Sequence, residues 1–152
     1  MLQGFTRCFL HSDARFFLAQ TTVMNKRPQL MRAQPIVAVV DDDPAVCSSL
    51  KFSLETEGFT VRAYGSADEL FCAGNLSNCD CFVIDQRMPS MNGLELIAKL
   101  RAQEVSTPAV LLVSHPNPVV SARAKVAKVP IVEKPLFGNT LVDQIRKVCR
   151  LA

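Results

Sequence analysis

Residues 36–44 read Ile-Val-Ala-Val-Val-Asp-Asp-Asp-Pro, and this stretch decides the fold of the chain. Its five apolar residues, four of them β-branched, are typical of a strand that is covered on both faces of a parallel sheet. Asp43 is a natural helix N-cap, with Pro44 at the first helical position. Apolar residues then recur every four positions, at Val46, Leu50 and Leu54. The stretch therefore predicts a buried strand followed at once by an amphipathic helix.

The same pattern of strand and helix recurs four more times along the chain. Further strands are predicted at Phe59–Ala63, Cys81–Ile84, Ala109–Val113 and Val129–Glu133. Further helices are predicted at residues 66–73, 94–101, 117–128 and 141–148. Five such units predict an α/β doubly wound sandwich with a parallel sheet. Because proline lacks the N–H group that a ladder needs, Pro130 places the fifth strand at an edge of the sheet.

The charge of the chain is unevenly distributed. The 152 residues carry a formal net charge of +3, with 20% charged and 49% hydrophobic side chains. Residues 1–34 hold five basic residues against Asp13 alone, a net charge of +4, whereas residues 35–152 hold 12 basic and 13 acidic residues, a net charge of −1. We expect a poorly ordered N-terminal extension over residues 1–34 and one domain over residues 35–152, without the basic surface that binds nucleic acid. No apolar stretch reaches the length of a membrane span, so no membrane contact is expected.

The six cysteines form no Cys-x-x-Cys motif, and most lie in apolar runs, where a thiol behaves as a small hydrophobe. We expect reduced thiols in a cytoplasmic protein. Cys79 and Cys81 are two residues apart, which would place both on one side of a strand as a candidate redox or metal pair.

Polar residues stand where the predicted strands end. Asp41 and Asp42 follow the first strand, Asp85 the third, Ser114 the fourth and Lys134 the fifth. In a doubly wound sheet these strand ends meet at the edge where ligands bind. Crowded carboxylates repel one another unless a cation neutralises them, and Mg²⁺ suits carboxylate oxygens. With a hydroxyl and an ammonium group added, the sequence predicts a pocket for a tetrahedral dianion attached to, or transferred onto, one carboxylate.

Each of these residues also has a purely structural interpretation. Asp43 is expected to act only as a helix cap. Taken singly, the other acids are open to interpretation as solvated turn residues, Ser114 as a helix cap and Lys134 as a solvated lysine. Their coincidence at successive strand ends favours a shared site.

Four motifs in this chain resemble those of the receiver domain of two-component response regulators. The resemblance covers about residues 35–150, and the motifs are most similar to those in receivers of the nitrogen-fixation and nodulation regulator type. The motifs are Val39–Val46, Val83–Gly93, Val110–His115 and Ile131–Pro135. The resemblance implies a flavodoxin-like fold with strand order 2-1-3-4-5 and five helices.

The resemblance also implies a role for each site residue. Asp85 would be the phosphoryl acceptor, and Mg²⁺ would be held by Asp41, Asp42, Asp85 and the backbone carbonyl of Arg87. Lys134 would pair with the phosphorylated aspartate, and Ser114 would donate a hydrogen bond to a phosphoryl oxygen. The peptide bond between Lys134 and Pro135 is expected to be cis.

By the same resemblance, the partners would be a histidine kinase or histidine phosphotransfer protein and a downstream protein, with a phosphorylation-dependent homodimer as a further option. We expect a single-domain receiver that signals by phosphorylation-gated protein–protein interaction. It would bind no DNA directly, because only two residues follow Arg150 and leave no space for an output domain. The protein would not be an enzyme beyond catalysing its own phosphorylation and dephosphorylation.

Two positions depart from the family pattern. Ile131 stands where an aromatic residue is usual, and the interval from Ser114 to Lys134 is shorter than expected, which predicts an altered fourth helix. These departures favour, as an alternative, a pseudo-receiver that acts as a constitutive interaction scaffold. A flavodoxin-like cofactor binder is a third interpretation, although the acidic loop after the first strand would repel a phosphate group.

Overall fold

A computed structural model of the chain describes residues 34–150, in which five strands alternate with five α-helices. The strands are β1 (Ile36–Val40), β2 (Thr60–Tyr64), β3 (Cys81–Asp85), β4 (Ala109–Val113) and β5 (Ile131–Glu133). The helices are α1 (Pro44–Thr56), α2 (Ala67–Ala73), α3 (Gly93–Ala102), α4 (Pro118–Val126) and α5 (Thr140–Val148), with a short 3₁₀ turn at Leu76–Asn78. The expected N-terminal extension lies outside the described residues, apart from Gln34.

The five strands form one sheet in the order β2-β1-β3-β4-β5, and every neighbouring pair is parallel. This confirms the predicted fold class and strand order. β3 and β4 are buried at every position, because helices cover both faces of the sheet. That is why their sequences are continuous apolar runs rather than alternating ones.

Successive residues of the central strands point into two separate cores. On one face, Val40 and Ile84 pack with residues of α2, α3 and α4, whereas on the other Val39 and Val83 pack with residues of α1 and α5. The sheet thus has three helices on one side and two on the other. None of the described helices is both long and apolar enough to cross a membrane.

Capping side chains determine where several helices begin. The Asp43 carboxylate accepts hydrogen bonds from the backbone N–H groups of Ala45 (2.8 Å) and Val46 (3.4 Å), as predicted for the N-cap of α1. In α3, Asn92 and Glu95 form a reciprocal capping box. These local contacts explain why the predicted helix starts lie close to the observed ones.

Some predicted boundaries were wrong. β2 begins and ends one residue later than predicted, and β5 holds only three residues, so Pro130 precedes the strand instead of lying in it. β5 is nevertheless an edge strand, and the Pro130 carbonyl accepts a hydrogen bond from Leu111 N (2.9 Å). α4 ends at Val126, because Lys128 adopts a left-handed conformation (φ 56°) that reverses the chain.

The prediction that Cys79 and Cys81 share one side of a strand was also wrong. Cys79 follows the 3₁₀ turn and precedes β3, so the alternation of a strand does not extend to it. Cys79 packs in the core beneath α2 and α3, whereas Cys81 packs in the core beneath α1 and α5.

Candidate phosphoryl-acceptor site

The carboxyl edge of the sheet gathers the polar residues that the sequence analysis singled out. Asp41 directly follows β1, Asp85 is the last residue of β3, and Lys134 directly follows β5. Because the strands are parallel, these positions meet at one edge. Asp41 and Asp85 are 2% and 4% exposed, and within residues 34–150 they are the buried charged residues.

Lys134 joins the two buried carboxylates. Its Nζ atom lies 2.8 Å from Asp41 Oδ2 and 2.7 Å from Asp85 Oδ1, and its side chain is 21% exposed. Such short contacts between charged groups are strong hydrogen bonds, and limited solvent weakens them little. One ammonium group therefore compensates two carboxylates from distant parts of the chain.

Backbone N–H groups hold the other oxygen of each carboxylate. Asp43 N donates to Asp41 Oδ1 at 2.9 Å, and Arg87 N donates to Asp85 Oδ2 at 2.7 Å. The Cys47 thiol donates to the Asp41 backbone carbonyl at 3.2 Å, which links α1 to the end of β1. Both carboxylates are thus held in one orientation before any ligand binds.

The surroundings of these groups shift their pKa values. Burial raises the pKa of Asp85 above its ordinary value of 3.8, and the negative charge of Asp41 adds to the rise, whereas the hydrogen bond and charge of Lys134 oppose it. For Lys134, burial lowers the pKa, but the hydrogen bonds to Asp41 and Asp85 outweigh burial and hold the pKa above 10.5. Lys134 is therefore charged at neutral pH.

Three carboxylates are close enough to bind one ion. Asp41, Asp42 and Asp85 each place an oxygen within 4.8 Å of the others, with Asp42 exposed to solvent. Hard oxygen ligands of this kind fit Mg²⁺, which keeps several of its waters. Three carboxylates and one ammonium group leave a formal charge of −2, which a divalent cation would neutralise.

The remaining predicted site residues lie beside this cluster with fewer contacts. Ser114 is half-buried one residue beyond β4, and within residues 34–150 the structure gives its hydroxyl no hydrogen-bond partner. Arg87 contacts Asp85 through its backbone N–H, and the role of its carbonyl as an ion ligand stays a prediction. The peptide bond between Lys134 and Pro135 is cis, as expected.

Two residues that the sequence analysis did not assign to the site hold the loop after β3. Gln86 closes this loop, since its backbone carbonyl accepts from Gly93 N (3.1 Å) and its side-chain oxygen accepts from Leu94 N (3.2 Å). A Cβ atom at Gly93 would lie 2.6 Å from the Asp85 carbonyl oxygen and 2.7 Å from Leu111 Cδ1, so only glycine fits there. The Asn92-Gly93 dipeptide, followed by the capping residue Glu95, was the sequence feature that could have predicted this tight loop.

The structure describes the surroundings of Ile131 and of the fourth helix, and whether this helix is altered relative to the family stays a prediction. Ile131 is half-buried and packs against the core beneath α2, α3 and α4. α4 is nine residues long and leaves Val119 and Val126 exposed at 67% and 85%.

Comparison with known proteins identifies a family and relatives to which this chain is similar. Residues 37–146 match the family model described as the response regulator receiver domain. The transcriptional regulatory protein FixJ of Bradyrhizobium diazoefficiens is 32% identical over 117 residues, which is 76% of this chain and 57% of that protein. The response regulator protein TodT of Pseudomonas putida is 29% identical over 118 residues, which is 77% of this chain and 52% of that protein. The chain thus spans about half the length of the curated relatives it matches.

Solved structures show the same architecture. The crystal structure of FixJ-N superposes with a TM-score of 0.70 at 26% identity and covers 80% of this chain and 98% of that one. The Vibrio cholerae chemotaxis protein CheY4 superposes with a TM-score of 0.70 at 24% identity, covering 76% of this chain and 99% of that one.

Proposed function

The chain belongs to the response regulator receiver family, and from that premise we propose that Asp85 accepts a phosphoryl group from a histidine kinase or a histidine phosphotransfer protein. Receiver domains of this family accept phosphoryl groups, interact with histidine kinases and downstream effectors, and bind Mg²⁺ at an acidic pocket. One observation carries the proposal for this chain: Asp85 is buried at the carboxyl edge, held between the Lys134 ammonium group and the Arg87 N–H.

This arrangement supports a nucleophilic role for Asp85. Its carboxylate is oriented by two donors on its two oxygens, so little freedom is lost when it meets a phosphoryl donor. Lys134 is charged at neutral pH and adjacent to the Asp85 carboxylate, where it would compensate charge on the phosphoryl group. Ser114, half-buried and one residue beyond the neighbouring strand, would donate its hydroxyl hydrogen to a phosphoryl oxygen.

The donor set is suited to Mg²⁺. Asp41, Asp42 and Asp85 would hold the ion with the Arg87 carbonyl, and the mutual distance of the three carboxylates supports this assignment. When bound, the ion supplies positive charge that stabilises the transferred phosphoryl group.

The proposed output is a phosphorylation-gated contact with another protein in the cytoplasm, with a phosphorylation-dependent homodimer as one form of it. Self-phosphorylation and dephosphorylation would be the catalysis this domain performs. FixJ is named a transcriptional regulatory protein, yet the net charge of −1 over residues 35–152 favours protein contacts over direct DNA binding for this domain.

Incubation with acetyl phosphate and Mg²⁺ tests the proposal. Intact-mass spectrometry should show a gain of about 80 Da for the wild type and none for Asp85→Ala. Asp68→Ala, which removes an exposed acid in α2, is the matched control and should be labelled like the wild type. Equal labelling of the wild type and Asp85→Ala, or no labelling of either, would refute the assignment of Asp85.

A pseudo-receiver is the second candidate, because Ile131 offers no aromatic ring to couple the site to the β5 edge of the sheet. In that case phosphorylation would leave the affinity for a partner unchanged. Measuring the affinity of one captured partner with and without acetyl phosphate distinguishes the two candidates. A flavodoxin-like cofactor binder is not proposed, since the carboxylates of Asp41 and Asp42 would repel a phosphate group placed after β1.

A further inference from the structure

Two cysteines from distant parts of the chain meet at the amino edge of the sheet, opposite the carboxylate cluster. Cys81 is the first residue of β3, and Cys149 directly follows α5. The Cys149 thiol donates a hydrogen bond at 3.4 Å to the carbonyl of Asp80, the residue that directly precedes Cys81, so the Cys149 sulfur lies against the start of β3. Both side chains also belong to the core beneath α1 and α5.

The two thiols differ in their access to solvent. Cys81 is completely buried, whereas Cys149 is half-buried at the end of its helix. The hydrogen bond with Cys149 and burial together raise the pKa of the Cys81 thiol far above its ordinary value. A small oxidant in solution therefore reaches Cys149 before it reaches Cys81, which is a protonated thiol.

We propose that this pair is an oxidative modification site at which hydrogen peroxide converts Cys149 and Cys81 into an intramolecular disulfide. In the first step the Cys149 thiolate attacks one peroxide oxygen, the O–O bond breaks, and a sulfenic acid and water form after protonation. In the second step the Cys81 sulfur attacks the Cys149 sulfur, the S–O bond breaks, and hydroxide leaves as water with the proton of Cys81. Two thiols lose two electrons, and the peroxide gains them.

The crosslink would connect the end of α5 to the start of β3 without reaching the phosphoryl-acceptor site. Cys81 and Asp85 lie at opposite ends of the same strand, four residues apart, which is about 13 Å at the rise of an extended chain. The disulfide should therefore form whether or not Asp85 is phosphorylated, so a failure of one proposal leaves the other intact.

Treatment of the full chain with hydrogen peroxide tests the proposal. Before alkylation, the oxidised wild type should show a species about 2 Da lighter than the reduced protein, which dithiothreitol reverses, and alkylation in denaturant should then label two thiols fewer than in the reduced protein. Trypsin should release residues 148–150 linked to residues 63–87. Because the second peptide also contains Cys72 and Cys79, variants must identify the partner.

Four variants identify the linked residues. Cys149→Ser and Cys81→Ala should both abolish the linked peptide, and in Cys81→Ala the sulfenic and sulfinic acids of Cys149 should accumulate. Cys72→Ser and Cys79→Ala should retain the linked peptide, since Cys72 is exposed on α2 and Cys79 lies on the other face of the sheet. Circular dichroism checks that each variant is folded.

Any of three results would overturn the proposal. The first is loss of the linked peptide in Cys79→Ala with its retention in Cys81→Ala. The second is oxidation of Cys72 in the wild type while Cys81 and Cys149 stay reduced. The third is conversion of Cys149 to sulfinic acid as fast in the wild type as in Cys81→Ala.

Discussion

Replacing Lys134 with methionine removes the positive charge from the carboxylate cluster while keeping most of the apolar stem. Asp41 and Asp85 would then be two nearly buried carboxylates, with side chains 3% and 6% exposed, facing each other without a cation. Removing one partner of a buried ion pair costs roughly 3–5 kcal/mol. Because the Lys134 side chain is 21% exposed and water can approach the gap, we expect the lower end, about 3 kcal/mol, at pH 7 without Mg²⁺.

The cost should depend on pH in a defined direction. The folded-state pKa of Asp85 is already raised, and Lys134→Met removes the two influences of Lys134 that oppose the rise. A carboxyl group with a raised pKa stabilises the fold fully below its unfolded-state pKa and loses that contribution as the pH rises through the folded-state value. The gap in stability between the wild type and Lys134→Met should therefore be small near pH 4 and widen towards pH 7.

Urea unfolding followed by far-ultraviolet circular dichroism measures this gap, since the chain has no tryptophan and a single tyrosine to report by fluorescence. The matched control is Lys51→Met. Lys51 makes an exposed ion pair with Glu55 at 3.9 Å, and its loss should cost less than about 0.5 kcal/mol at either pH. If Lys134→Met cost no more than Lys51→Met at pH 7, or if its cost were larger at pH 4, the electrostatic reasoning about the site would be refuted.

Three further predictions follow from single contacts. Gly93→Ala should lower the free energy of unfolding by about 2 kcal/mol, because its Cβ would overlap the Asp85 carbonyl. In the control Gly65→Ala the new Cβ would have no neighbour nearer than 3.4 Å, so the free energy of unfolding should change by less than about 1 kcal/mol. Equal urea midpoints for the two variants would contradict this prediction. Asp43→Ala should cost about 1 kcal/mol through loss of the α1 cap, and Asp43→Asn should restore most of it in the same assay. Asp42→Asn should leave the melting temperature without Mg²⁺ unchanged and reduce the rise that MgCl₂ produces in the wild type; an undiminished rise would remove Asp42 from the ion site.

The central part of the fold was predictable because its signals are local. β1 and β4 were predicted with their observed bounds, since a continuous apolar run between polar residues determines both ends of a buried strand. The start of α1 followed from Asp43 and Pro44 for a similar reason, because a cap contacts only its own first turn. β5 was predicted two residues too long, because the partner strand, and not its own composition, decides which residues enter the ladder.

The sequence by itself determined that acids follow β1 and β3 and that a lysine follows β5, and parallel strands necessarily bring such residues to one edge. Only the tertiary structure decided that Lys134 contacts both Asp41 and Asp85, that Gly93 lies against the Asp85 carbonyl, and that Cys149, and not Cys79, packs against the same core as Cys81. The physical reason is the distance along the sequence over which each kind of interaction acts. Strand alternation and helix caps act between residues a few positions apart, whereas these contacts join residues 8 to 93 positions apart, and their distances depend on how the helices pack on the sheet.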